Sequence, residues 1–90
     1  MTEKTILFLE EISRRICEKY KLENVYFTQI IGKRRHHLAG CGKEVVLPAE
    51  QMELSGNISV FWQGNLTGDL ANLLREELAP VAERLEKELA

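Results

Sequence analysis

Between Glu3 and Lys21, apolar residues recur at the spacing of a helix. Ile6, Leu9, Ile12 or Ser13, Ile16 and Tyr20 form one stripe, with Cys17 beside it. Glu10, Glu11, Arg14, Arg15, Glu18 and Lys19 fill the opposite face, and Glu10–Arg14 and Glu11–Arg15 are spaced to pair. The pattern predicts an amphipathic helix, with Thr2 as N-cap and Glu3 at the positive end of its dipole. The period then changes. Asn24 to Ile31 is dense in β-formers, and Arg34 to Gly40 is its return strand across a Gly32-Lys33 turn, where glycine supplies the positive φ that a type II′ turn needs. The expected register pairs Ile31 with Arg34, Ile30 with Arg35, Gln29 with His36, Thr28 with His37, Phe27 with Leu38 and Tyr26 with Ala39.

Glu44 to Leu47 reads as a short third strand. Pro48 to Leu54 is open to two readings, a helical turn starting at Pro48 or an extended piece paired through Ser55-Gly56. From Asn57 to Gln63, Ile58, Val60 and Trp62 alternate with Ser59, Phe61 and Gln63, which predicts a strand. A final helix follows, capped by Thr67 or Asp69, with Leu70, Leu74, Leu78, Val81, Leu85 and Leu89 as its stripe. Pro80 predicts a kink or break near Ala79, because it removes a backbone donor and crowds the preceding turn.

The resulting order is helix, three or four antiparallel strands, helix. The fold class is α+β, a two-layer sandwich with both helices on one sheet face. Val25, Phe27, Leu38, Ile58, Val60 and Trp62 are expected to meet the helices. Tyr26, Thr28, Ile30, Arg35, His37, Ser59 and Phe61 are expected on the open face, a mixed surface that invites a partner. The order is similar to that of double-stranded RNA-binding domains. That family carries a lysine-rich phosphate clamp at the start of its final helix, and here Thr67-Gly68-Asp69-Leu70-Ala71-Asn72 has no cation, so no residue is carried over.

Ninety residues make one domain, and such a chain buries only about 60–65% of its unfolded surface. Small chains of this kind often gain stability by oligomerising. The four-residue apolar run Ile6–Leu9 ends at Glu10-Glu11, too short for a secretion signal or a membrane span, so a cytoplasmic protein that does not enter a membrane is expected. Two cysteines do not make a disulfide framework in that setting.

Charge changes the picture most. The net charge is −2, but Arg14 to Lys43 holds eight Lys/Arg against two Glu, while Glu44 to Ala90 holds three Lys/Arg against nine Asp/Glu. The cations concentrate at Lys33-Arg34-Arg35-His36-His37, around a predicted hairpin turn, where self-repulsion invites a partner of opposite charge. Lys33, Arg34, Arg35 and His37, with Tyr26 and Phe61 on the same face, are therefore the candidate binding residues. Cations and two aromatics also suit phosphates and unpaired bases, so RNA or single-stranded DNA is the alternative partner. The plain reading is a solvated hairpin that blunts a sheet edge or pairs with the acidic final helix.

Enzymatic and metal chemistry find less support. His36 and His37 are neighbours on a strand and point to opposite faces, so with Cys41 they do not make a closed ligand set. Gly40-Cys41-Gly42-Lys43 can present a thiol, but no orienting group or oxyanion hole accompanies it, and the glycines also mark a turn or bulge. It lacks the spacing of a P-loop. No catalytic residue, metal or cofactor is expected, and a thiol- or metal-dependent protein around Cys41 is the second alternative. The expected function is interaction: self-association as a dimer or docking to another protein. Trp62 is expected in the core and Phe61 at an interface.

Overall fold

A computed structural model describes residues 2–46 and 48–89, with the side chain of residue 89 outside the description. Helix α1 spans Glu3–Tyr20, strands β1 Asn24–Ile31, β2 Arg34–Gly42, β3 Glu50–Glu53 and β4 Ile58–Gln63, and helix α2 Gly68–Leu89. The four strands form one antiparallel sheet in the order β2-β1-β4-β3. Two hairpins thus lie side by side, with β1 and β4 central.

Thr2 caps α1, accepting from the Thr5 amide, and Lys21 ends it in the left-handed conformation. Thr67 caps α2, its Oγ1 accepting from the Leu70 amide at 3.3 Å. The helices run antiparallel on one sheet face. Lys19 near the end of α1 meets Glu77, Arg84 lies 4.2 Å from the centre of the Phe8 ring, and Thr5 near the start of α1 donates to Glu88. Leu9, Ile16, Val25, Phe27, Ile58, Val60, Trp62, Leu74, Leu78 and Leu85 close the core between the layers. The expected sandwich is therefore what forms, with four strands.

Four expectations need correction. The register holds from Ile31–Arg34 to Thr28–His37 and then shifts. Phe27 pairs with Ala39 and Tyr26 with Gly40, leaving Leu38 as the extra residue of a bulge and only partly buried. Strand β2 also runs on through Gly40-Cys41-Gly42, so those glycines mark neither the turn nor the bulge. The third strand is Glu50–Glu53, whereas Glu44 to Val46 lie in an irregular crossover; Leu47 falls outside the described residues. Finally, of the kink or break expected near Ala79, the break does not form: α2 continues through Pro80. Leu78, Val81, Ala82 and Leu85 are all buried around the proline. Burial at about 1.5–3 kcal/mol for each large side chain outweighs the roughly 3 kcal/mol that an internal proline costs.

No helix of the described residues is long and apolar enough to cross a membrane.

Candidate functional site

The strand that follows the Gly32-Lys33 turn is an edge strand. Gly32 has φ 62, the positive value required at the first turn position. Arg34, Arg35, His36 and His37 are all exposed on β2. Among the described residues no acidic side chain stands within ion-pairing distance of any hairpin cation; the ion pair that does form, Lys19 with Glu77 at 2.5 Å, lies elsewhere. The acidic half of the chain therefore does not neutralise the basic hairpin internally.

The register brings Tyr26, Thr28, Ile30, Arg35, His37, Ser59 and Phe61 to the face away from the helices. Tyr26 and Phe61, opposite each other on β1 and β4, stack with centroids 5.2 Å apart and planes 6° from parallel. His37 stands tilted beside Tyr26 with ring centroids 6.2 Å apart, and the Arg35 guanidinium lies 5.4 Å from the Phe61 ring centre. The rings are already engaged on several sides, and Phe61 is only 4% exposed. The four predicted residues Tyr26, Arg35, His37 and Phe61 thus form one connected cluster. Lys33 and Arg34 sit apart from it, at and just after the turn, and His36 is directed by its pairing with Gln29 to the opposite side. Trp62 is in the core.

Sequence reasoning missed Asn24 and Gln63. They pair across β1 and β4 at the end of the sheet far from the hairpin turn. The Gln63 side chain both donates to Val45 O at 2.9 Å and accepts from Val45 N at 3.1 Å, and Asn24 Nδ2 donates to Lys43 O at 2.9 Å and to Gln63 Oε1 at 2.5 Å. These amides pin the crossover that carries the chain from one sheet edge to the other. Their signal in the sequence is slight: two amides at strand termini, both on the open-face parity.

Beside this clip a cleft of about 640 Å³ opens, lined by Tyr26, His37, Gly40, Glu44 and Ala49 with the two amides. Asn24 is 5% exposed, and its buried Oδ1 has no hydrogen-bond partner among the described residues. Gly40 shapes the cleft. A Cβ there would lie 2.5 Å from the Tyr26 Cβ and 2.7 Å from Val25 O, too close for any side chain.

A second recess of about 650 Å³ lies at the sheet end opposite the hairpin turn, between the end of α1 and the start of α2, lined by Lys19, Tyr20, Lys21, Leu70, Leu73, Glu76 and Glu77. Leu73 is 53% exposed and Leu70 lies exposed beside it. The described residues contain no group of three or more His, Cys, Asp or Glu arranged to hold a metal ion. No protein-family model matches this chain, and no curated protein or solved structure is significantly similar to it, so the site is read from its own geometry.

Proposed function

We propose that this chain is a self-associating interaction domain, a homodimer in which each basic hairpin docks on the start of the partner's α2. One observation carries the reading: the two unsatisfied surfaces lie at opposite ends of the sheet. At the turn, exposed Ile31 pairs with Arg34 next to Lys33, and Arg35 follows on the other face of the strand. At the other end, exposed Leu70 and Leu73 sit near Asp69 and Glu76. Each patch joins an apolar centre to charge, and the charges are opposite in sign. Lys19 in the second patch is offset by Glu77, and exposed Lys21, which also lines it, offsets one of Asp69 and Glu76, so the acidic excess there is a single charge. Two copies placed antiparallel bring both patches into contact at once, which is the self-complementary arrangement that closes a two-fold dimer. The charges steer and orient; desolvated leucine and isoleucine supply most of the binding.

Multi-angle light scattering across a concentration series tests this. The expected mass is twice 10.3 kDa at high concentration. An Arg34→Glu, Arg35→Glu double variant is expected to be monomeric, and mixing it with an Asp69→Arg, Glu76→Arg variant is expected to restore a dimer of the two. A wild-type mass of one chain at every concentration, or an unchanged mass in the double variant, overturns the reading.

RNA or single-stranded DNA remains the second partner for the same cations. The ring geometry supports it less, because single-strand binders offer free ring faces to bases, and here Tyr26, Phe61, His37 and Arg35 cover one another. A titration with a short single-stranded RNA at low salt distinguishes the two. Salt-reversible shifts at Lys33, Arg34 and Arg35 would move nucleic acid to first place.

A further inference from the structure

The two cysteines lie far apart in the chain and together in the fold. Cys17 is on α1, one turn before its end, and Cys41 is on the edge strand β2. The Cys17 thiol donates to the Cys41 backbone oxygen at 3.6 Å. Cys41 pairs in register with fully buried Val25, so its side chain shares the face of the sheet that receives α1. Its sulfur is four bonds from that same oxygen, so the two side chains are neighbours. Both thiols are free and partly accessible. Cys41 also borders a surface recess with Leu7, Glu10, Glu11, Arg14 and Gly40, which gives solutes a route to it.

We propose that Cys17 and Cys41 form a reversible disulfide that staples α1 to the edge strand. A peroxide is the oxidant. The Cys41 thiolate attacks one peroxide oxygen, the O–O bond breaks, and water leaves after protonation, giving a sulfenic acid. The Cys17 sulfur then attacks the sulfenic sulfur, its proton leaving with the displaced hydroxyl as a second water. Two thiols and one hydrogen peroxide give one disulfide and two waters, with two electrons passing to the peroxide. Burial favours the neutral Cys17 thiol, which suits a resolving partner better than the first site of attack.

The bond would close a loop between residues 24 apart in sequence and tie down β2, an edge strand, at the end away from the hairpin turn. It is independent of dimer formation, since neither cysteine belongs to the docking patches. The test treats the reduced full chain with stoichiometric hydrogen peroxide. Intact mass is expected to fall by two hydrogens, a non-reducing peptide map to join the Cys17 and Cys41 peptides, and dithiothreitol to restore both. The melting temperature of the oxidised form should rise by about 10 °C or more, the scale for closing a loop of this length in a small domain. Gain of oxygen atoms without hydrogen loss, a link only between chains, or an unchanged mass would each overturn the proposal. Cys17→Ser is expected to leave Cys41 oxidising to the sulfenic acid, trapped by dimedone; should that variant not fold, the wild-type peptide map alone decides.

Discussion

Gly40 sets how closely two strands approach beside the Tyr26 ring. It pairs directly with Tyr26, and the space a Cβ would need is already filled by the Tyr26 Cβ and the Val25 carbonyl. Gly40→Ala is therefore expected to push β2 away from β1, at a cost of about 1–3 kcal/mol in urea unfolding. An unchanged unfolding midpoint would mean that the strands part without penalty, and the cleft wall would then be softer than its packing implies. Residues on either side of Gly40 differ in how readable they were. Tyr26 and Phe61 are placed on one face by alternation alone, because parity is local to each strand. That they stack, and that Arg35 and His37 close over them, depends on register between strands, which no single segment contains. The requirement for glycine at position 40 is likewise invisible until Tyr26 is known to stand opposite.

At the scale of elements, strong periodicity was legible and weak periodicity was not. Helix α1 and strands β1 and β4 carry long runs of one period and formed where those runs predict. Strand β3 was half legible: it realises the extended one of the two readings of Pro48 to Leu54, paired through Ser55-Gly56, but Glu50-Gln51-Met52-Glu53 offers a single apolar residue, Met52, to the core, too little to decide between them. Its pairing comes from β4, with the hairpin held by the Leu54 amide donating to Ile58 O at 2.8 Å. The more apolar Val45-Val46 segment misled, since it belongs to the crossover and Val46 is fully exposed. The helix through Pro80 fails local expectation for the opposite reason: buried neighbours on both sides hold it in place. Pro80 itself is exposed, and it deprives the Glu76 carbonyl of its helical donor. Pro80→Ala restores that donor and is expected to stabilise the chain by about 1–2 kcal/mol, part of the gain being offset by a freer unfolded state. Chemical denaturation measures it; a loss of stability would show that the proline shapes α2 to fit the sheet.

Across the whole molecule, three groups at or near the end of α1 shift in one direction. Burial first, and then the charge of Cys41, raises the Cys17 thiol to about 11 from its ordinary 9.0. Tyr20 is raised by burial and then by the Glu77 carboxylate, and Lys19 by its hydrogen bond to Glu77. In each case the unfolded chain gives up its proton at a lower pH than the folded chain does. Stability linked to these groups is thus complete below their unfolded-state values and is lost as pH rises through the folded ones. The first to act is the thiol. The melting temperature of the reduced protein is expected to be insensitive to these groups from neutral pH to 9.0 and to decline between 9.0 and about 11. Cys17→Ala should soften the onset of that decline, and Glu77→Gln should weaken the part that Tyr20 and Lys19 contribute. Lys19 and Glu77 are too exposed for their pair to weigh heavily, so the Cys17 arm is expected to be the larger of the two. A reduced protein whose melting temperature holds level through that range, with and without Cys17, would mean that α1 does not shield this thiol, and the close contact of Cys17 with Cys41 would fall with it.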